Sequence, residues 1–503
     1  MQMRHLLLPA WILCFFSVTP ATAGDGPPNV LMIAIDDLND WIGCLRGHPQ
    51  TLTPNIDRLA ARGVLFSNAH CASPACNPSR AALFSGQMPW RTGVWSNDSQ
   101  RLFEQHPDAR VLPRAFQEAG YRTWGTGKMM HSQATANKLM FEESFNPEQR
   151  WSPFTRKQTN YTPEELPSKG SARPRHVIAA DGLPRTVLPL NGLPSDRAPQ
   201  KLAAESFDWG PLDVADSTMG DTQITDWAIR RLQQPHDKPF FLGVGYYRPH
   251  IPLWAPAAYF QRFGDQQIQL PPHLDADLRD LSDTGRRWAI EAITAGLHQT
   301  VVDSGQWPDA VKAYLACVTY VDAQIGRLLE ALDQSAAAAD TIVVLWSDHG
   351  WHLGEKQHWG KWTGWERSTR VPMIIVPKAA GISASAGQIC HAPVSLLDIS
   401  PTLAELCNVS PPAAADGLSL LPQLRNPQLE SDRVVTTSFD QGNFSLRNQR
   451  WRYLRYSDGT EEIYDLHEDP NEWTNLLNSP AAETALRKLR SHADAVSAQA
   501  TAP

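Results

Sequence analysis

Four short apolar runs punctuate the chain, and each one ends in polar residues. Val30-Leu31-Met32-Ile33-Ala34-Ile35 runs into Asp36-Asp37, and Thr341-Ile342-Val343-Val344-Leu345-Trp346 runs into Ser347-Asp348-His349. Tyr121-Arg122-Thr123-Trp124 leads through Gly125-Thr126-Gly127 to Lys128 and His131. Phe240-Phe241-Leu242-Gly243-Val244 leads through Tyr246-Tyr247-Arg248-Pro249 to His250. Continuous apolar runs of this length read as strands buried on both faces, which is the habit of parallel sheets. Helical spacing lies between them, over 54–62, 111–119, 221–233 and 319–333. The alternation predicts an α/β fold with a mostly parallel central sheet. In such sheets ligands sit beyond the carboxyl ends of the strands. All four polar clusters fall there together.

From Trp451 the pattern changes to period two. Trp451-Arg452-Tyr453-Leu454-Arg455-Tyr456 alternates, Ser457-Asp458-Gly459 turns, and Glu462-Ile463-Tyr464-Asp465-Leu466 returns, as in a hairpin. The pattern predicts a large α/β domain over 24–425 and a small subdomain with an antiparallel sheet over 426–503. Residues 147–199 carry nine prolines, eight Lys or Arg and five Asp or Glu, with little periodicity. They read as a long surface excursion, either a solvated loop or a basic segment that touches an anionic substrate.

Composition narrows the class. Of 503 residues, 42% are hydrophobic and 19% charged, as in a globular protein with a sizeable core. The net charge of −8 gives no electrostatic case for a nucleic-acid partner. Arg4 and His5 precede an apolar run from Leu6 to Val18, and Ala21-Thr22-Ala23 ends it, which is the layout of a signal peptide over 1–23. No later stretch is long and apolar enough to span a membrane, so the expected product is exported, periplasmic or secreted. Apart from Cys14 in the leader, the cysteines are Cys44, Cys71, Cys76, Cys317, Cys390 and Cys407, too few for a disulfide scaffold. Cys390 and Cys407 are one conceivable pair.

The chemistry starts at residues 70–86, HCASPACNPSRAALFSG. Asn77 is a suitable N-cap, Pro78 suits the first helical position, and Gly86 is a plausible stop. This places Cys76 just outside a helix N-terminus, where free N–H groups favour an anion. Such a thiol is either a nucleophile, or its precursor, or a buried structural cysteine. Asp36, Asp37 and Asp348 end two different strands. Taken singly they are strand-end turns; brought together they repel unless a cation intervenes, and a hard divalent ion such as Ca²⁺ fits several oxygen ligands. His349 is an unusual member of such a set. Arg80, Lys128, His131, His250 and Lys361 would face the same crevice. Cations beside a metal imply concentrated negative charge in the substrate, most simply a sulfate or phosphate ester. His349, His352 and His358 match no strong zinc spacing. Trp351, Trp359, Trp362 and Trp365 crowd one loop, either to stack on sugars or to build a local core.

Cys76-Asn77-Pro78-Ser79-Arg80 followed by Phe84-Ser85-Gly86 resembles the signature of the type I sulfatase family, with Phe84 and Ser85 in place of Leu and Thr. The resemblance extends over nearly the whole chain after the leader. It runs through Thr53-Pro54-Asn55-Ile56-Asp57-Arg58-Leu59-Ala60, Gly125-Thr126-Gly127-Lys128, Arg248-Pro249-His250-Ile251-Pro252 and Ser347-Asp348-His349-Gly350 to Tyr464-Asp465-Leu466 and Asp469-Pro470. Asp348-His349-Gly350-Trp351 with Leu353-Gly354-Glu355 and Lys361 most resembles the iduronate-2-sulfatase-like branch, which carries His beside the metal-binding Asp.

The resemblance implies an alkaline-phosphatase-like fold and hydrolysis of sulfate esters on a sulfated carbohydrate. It implies that a separate maturation enzyme oxidises Cys76 to Cα-formylglycine, whose hydrate attacks sulfur. It further implies that Asp36, Asp37, Asp348 and His349 bind one Ca²⁺ beside residue 76. Arg80 and His131 would orient the nucleophile, Lys128 and Lys361 would hold sulfate oxygens, and His250 would protonate the leaving alcohol. A bridge between Cys71 and Cys76 would block maturation, so Cys71 is expected free or paired elsewhere. The competing functions are a phosphonate or phosphate ester hydrolase of the same superfamily and a non-catalytic binder of sulfated glycans.

Overall fold

The computed structural model describes residues 26–131, 133–150, 177–178, 184–185, 190–193, 196, 207–378, 385–412 and 415–501. The expected leader over 1–23 and most of the 147–199 excursion lie outside the described residues.

An eight-stranded sheet forms the middle layer. In chain order its strands are β1 (Asn29–Asp36), β2 (Val64–Phe66), β3 (Arg122–Gly127), β4 (Glu143–Phe145), β5 (Phe240–Pro249), β6 (Thr341–Ser347), β7 (Met373–Val376) and β8 (Gln388–Cys390). They lie in the order β8-β2-β7-β6-β1-β5-β3-β4. β6, β1, β5, β3 and β4 are mutually parallel, as are β8 and β2, and β7 runs antiparallel to both of its neighbours. The four apolar runs of the sequence are therefore four adjacent parallel strands, and their polar ends share one sheet edge. The short β2, β4, β7 and β8, of three or four residues each, lie outside those runs.

Alternate residues of β1 enter opposite cores, as a strand pleat requires. Leu31, Ile33 and Ile35 face one core and Val30, Met32 and Ala34 the other. The first face is covered by α1 (Pro54–Ala60), α4 (Gly220–Leu232) and α5 (Trp307–Asp333), the second by α2 (Cys76–Ser85), α3 (Leu112–Glu118) and α6 (Ile399–Leu406). α5 begins twelve residues before the expected 319–333 helix. Its middle is buried all round, from Ala313 through Asp322 without a break, so the 3.6-residue contrast that marks an amphipathic helix is missing there.

The C-terminal hairpin belongs to a four-stranded antiparallel sheet of β9 (Val435–Asp440), β10 (Asn443–Arg447), β11 (Trp451–Arg455) and β12 (Glu461–Asp465). One face packs on the last helix, α7 (Glu483–Thr501), through Leu446, Tyr453 and Ile463 against Leu486, Leu489 and Ala493. The other face meets the large unit through Phe439, Leu454 and Tyr464 around Trp365.

The pairing considered for Cys390 and Cys407 is not formed, and all six cysteines of the described residues are free. Cys390 ends edge strand β8, while the Cys407 thiol lies against the Tyr121 hydroxyl. Cys71 is free, as expected, with its thiol on the Ser368 carbonyl.

Asp221 at the start of α4 anchors the end of β5 by accepting from the Tyr247 and Arg248 amides at 2.8 and 3.0 Å. Burial pushes its pKa up to about 6, against the hydrogen bonds and Arg248. The unfolded carboxyl titrates near ~3.9, so between the two values the folded chain binds more protons and this group's contribution to stability falls as pH rises. Asp221→Asn keeps only one acceptor for two buried amides and costs about 1–3 kcal/mol. Urea denaturation of both proteins should show the gap between wild type and variant narrowing from pH ~4 to ~7; a gap that is constant or widens contradicts the assignment.

Candidate active site

The site is assembled from the carboxyl ends of β1, β3, β5 and β6 and from the start of α2. Asp36 closes β1. Asp37 follows at a φ of 62°, in the left-handed region that Asp tolerates better than most residues. That turn is held from three sides. The Asp37 amide donates to Asp348 Oδ1 at 3.2 Å, the Asp37 carbonyl accepts from the Tyr314 hydroxyl at 2.8 Å, and the same hydroxyl accepts from the Asn39 amide at 2.9 Å. Tyr314 is the eighth residue of α5, in its buried part, where sequence gives no hint that a phenol serves the site.

Lys128 follows β3 across a close approach of two strands. Gly127, at a φ of 67°, leaves no room for a Cβ, which would lie 2.0 Å from the Gly245 carbonyl. The Lys128 amide donates to that carbonyl at 2.8 Å. Only glycine satisfies both conditions at position 127.

α2 starts two residues earlier than expected, so Cys76 lies inside the helix rather than just outside it. Ala75 is extended and Cys76 is the first helical residue. Asn77 is therefore inside the first turn, and its amide is capped from another loop by Asn97 Oδ1 at 2.9 Å. The Asn77 side chain donates to the Ser96 carbonyl at 2.9 Å. Gly86 ends the helix in the left-handed conformation, as read from sequence. Ser79, a signature residue given no role above, donates to the Asp348 carbonyl at 2.6 Å and ties the helix to the end of β6.

These elements bring every expected site residue to one place around the Cys76 thiol. Its sulfur lies 3.4 Å from Asp36 Oδ1, 3.3 Å from Lys128 Nζ, 3.0 Å from Lys361 Nζ and 3.3 Å from His349 Nε2. Lys128 also pairs with Asp36, and Lys361 with Asp37 at 2.7 Å. Arg80 Nε donates to Asp348 Oδ2 at 2.7 Å, and its Nη2 is 3.6 Å from Asp36. Asp36, Asp37, Cys76, Arg80, Lys128, Asp348, His349 and Lys361 are all buried. His131 and His250 are only half-buried and stand at the mouth. Both hydrogen-bond the thiol, and His250 Nε2 is 3.9 Å from Asp37 Oδ2.

Charge balance governs the protonation states. Burial alone would push the Cys76 thiol up, but Lys128, Lys361 and His349 outweigh it and hold its pKa well below the usual thiol range. Burial, with the neighbouring Cys76 charge, raises Asp36 well above the usual carboxylate range against Lys128. Asp348 goes the other way, since Arg80 and His349 overcome its burial. Burial opposes protonation of His349, yet Asp348 raises its pKa above the ordinary value. His250 is lowered to about 4 by burial, with Lys361 and Lys128 adding to the shift and Asp37 opposing it.

Two overlapping sets of ligand atoms, Asp36-Cys76-Asp348-His349 and Asp36-Asp37-Cys76-His250, each lie within 4.8 Å of one another. His352 and His358 take no part. The His352 ring meets the Glu355 carbonyl and the Thr363 hydroxyl, and the His358 ring meets two carbonyls. The tryptophans resolve in favour of a local core. Trp351, Trp359 and Trp365 are at most 1% exposed and Trp362 is 9% exposed, which leaves them no open face for a sugar.

The chain is similar to known proteins over most of its length. Residues 28–409 match the sulfatase family, and residues 354–499 match the N-sulphoglucosamine sulphohydrolase C-terminal family. A sulfatase of Formosa agariphila is 34% identical over 468 residues, covering 92% of this chain and 85% of its own length. Iduronate 2-sulfatase of Homo sapiens is 30% identical over 405 residues, covering 76% of this chain and 66% of its own. Among solved structures, a 2-O GAG sulfatase superposes with a TM-score of 0.66 at 23% identity, covering 94% of this chain and 92% of that one. A phosphonate monoester hydrolase from Silicibacter pomeroyi superposes with a TM-score of 0.70 at 23% identity, covering 92% and 94%.

The electrostatics make a direct prediction for the unconverted, metal-free chain. Lys128, Lys361 and His349 hold the Cys76 thiol well below the usual thiol range, whereas burial holds Cys44, Cys71, Cys317, Cys390 and Cys407 above it. Ultraviolet thiolate absorbance at neutral pH should correspond to a single thiolate and disappear in Cys76→Ala; absorbance unchanged by that substitution refutes the charge assignment.

Proposed function

The chain belongs to the sulfatase family, and on that premise we propose that it removes sulfate from a sulfated saccharide with a nucleophile made from Cys76. The observation that carries this reading is the convergence of the Cys76 thiol, three aspartates, His349, Arg80 and two lysines in one buried pocket at the strand ends.

The residues fit a divalent cation. Asp36, Asp37 and Asp348 supply hard oxygen donors, which Ca²⁺ prefers. Asp37 Oδ2 is buried without a hydrogen-bond partner. His349 Nδ1 lies 3.0 Å from the Gly350 carbonyl and donates to it, which turns the Nε2 lone pair inward. Asp36, Asp37, Asp348 and His349 would hold the ion, which when bound supplies a Lewis-acid clamp for negative oxygens.

Cys76 would be oxidised to Cα-formylglycine by a separate maturation enzyme. The hydrated aldehyde supplies two hydroxyls on one carbon, one to attack sulfur and one to expel sulfate and restore the carbonyl. Around it the chain's own groups have distinct tasks. Lys128 and Lys361, already 3.3 and 3.0 Å from residue 76, would hold sulfate oxygens as charge grows. Arg80 fixes the carboxylates, and His131 hydrogen-bonds the nucleophile. His250, at the mouth, would protonate the leaving alcohol. Its pKa is low in the free site, but a bound anion offsets the two lysines and raises it.

The similarity to iduronate 2-sulfatase, and the names of relatives active on glycosaminoglycans and ulvan, favour a sulfated uronate-containing polysaccharide as the source of the substrate. A leader over 1–23 would direct the chain out of the cytoplasm.

Mass spectrometry of peptide Gly63–Arg80 from a host with maturation enzyme should find the aldehyde at residue 76. Sulfate release from aryl sulfates and sulfated oligosaccharides should fall at least 10²-fold in Lys361→Met and to background in Cys76→Ala or after chelation of the metal. A free thiol in fully active protein, or phosphate release that exceeds sulfate release, overturns the proposal.

A further inference from the structure

His358 matches no strong zinc spacing in the sequence, and its surroundings give it a task. Its ring is 1% exposed. Nδ1 lies 2.9 Å from the Ala289 carbonyl and Nε2 lies 3.0 Å from the Lys361 carbonyl. Both partners can only accept. A neutral imidazole carries one N–H, so it satisfies one carbonyl and sets a lone pair against the other; only the imidazolium donates to both. Ala289 lies in the last turn of the helix Asp283–Ile290, where the helix dipole is negative and favours a cation.

The tie ends at a demanding point of the chain. Lys361 lies between Gly360 at a φ of 125° and Trp362 at 81°, both in the left-handed half of backbone space. Three bonds hold this turn: the Lys361 amide to the Thr294 hydroxyl at 3.3 Å, the Trp362 amide to the Pro74 carbonyl at 3.0 Å, and His358 to the Lys361 carbonyl. The Lys361 ammonium then reaches Cys76 Sγ and Asp37 Oδ1 at 3.0 and 2.7 Å.

We propose that His358 is a positioning residue, which fixes the main chain of Lys361 against the end of helix Asp283–Ile290 and holds it most firmly when both ring nitrogens carry protons. The inference rests on the role assigned to Lys361 above. The titratable groups that face the ring are His352, whose ring centroid is 5.2 Å away, and His298, which accepts from the neighbouring Trp359 indole. Among the described residues no carboxylate bonds to it. Burial lowers its pKa and the two carbonyls raise it, so the protonation change falls on the acid side of neutrality.

The test uses the full-length, converted protein. With ¹⁵N-labelled histidine, and His358→Gln for assignment, ring correlations followed on acidification should show two slowly exchanging N–H signals from His358. The variant should lose about tenfold in kcat with a smaller change in KM, and its pH profile should lack a component that wild type has on the acid side. A His358 ring with a single N–H over the whole range in which the protein is folded overturns the inference. So does a variant whose scaled pH profile superimposes on wild type while Lys361→Met is inactive. Full activity in Lys361→Met instead removes the role of Lys361 itself, and the ring titration then reports on the tie alone.

Discussion

The structure depends on keeping charge balanced where water is excluded. Three carboxylates and a low-pKa thiol are buried within a few ångströms of one another, each of which would cost several kcal/mol if left unpaired. The compensating cations come from three separate segments: Arg80 from a helix, Lys128 from the end of a strand, Lys361 from a loop. Each pair therefore joins elements far apart in sequence, and the site cannot form before the sheet does. Losing any one of these cations strands a buried anion, which links the integrity of the fold to that of the site.

This constraint decides what was legible in the sequence. The four strands announce themselves because burial on both faces demands continuous apolar runs, and the ionisable residues stand out because they interrupt them. The supporting layer has no such signature. Tyr314, Ser79 and Asn97 each bond a main-chain group, and a main-chain group has no side-chain identity for a pattern to reveal. His358 is the same case, since both its partners are carbonyls. The missed part of α5 and the unnoticed β7 share a different cause. Uniform burial erases the period by which a helix is recognised, and four apolar residues are too few to declare a strand.

The C-terminal sheet is more than an appendage to this arrangement. Its first strand, β9, reaches the segment before the nucleophile helix, with the Thr437 hydroxyl on the Cys71 carbonyl at 2.6 Å and the Ser438 amide on the Ala72 carbonyl at 2.9 Å. Arg452 in β11 donates to the Gly364 carbonyl at 3.0 Å, and Trp365 donates to Glu462 in β12 at 2.9 Å. The antiparallel sheet thus braces the approach to Cys76 and the turn that follows Lys361 at the same time. Of the loop tryptophans, Trp365 is part of this brace and packs between the two units, whereas Trp351 and Trp359 join the core of the large unit.

The balance of charge also gives a reason for converting Cys76 on the proposed reading. In the unconverted chain the thiolate lies against Lys128, Lys361 and His349 and satisfies them. A sulfate ester entering that pocket would have to compete with a buried anion for the same ammonium groups. Replacing the thiolate by a neutral carbonyl removes one negative charge and leaves both lysines oriented by Asp36 and Asp37 but no longer neutralised by residue 76. The pocket then carries the positive excess that an anionic substrate requires. Chemical conversion of one side chain would in this way supply the nucleophile and also clear the place that the sulfate group takes.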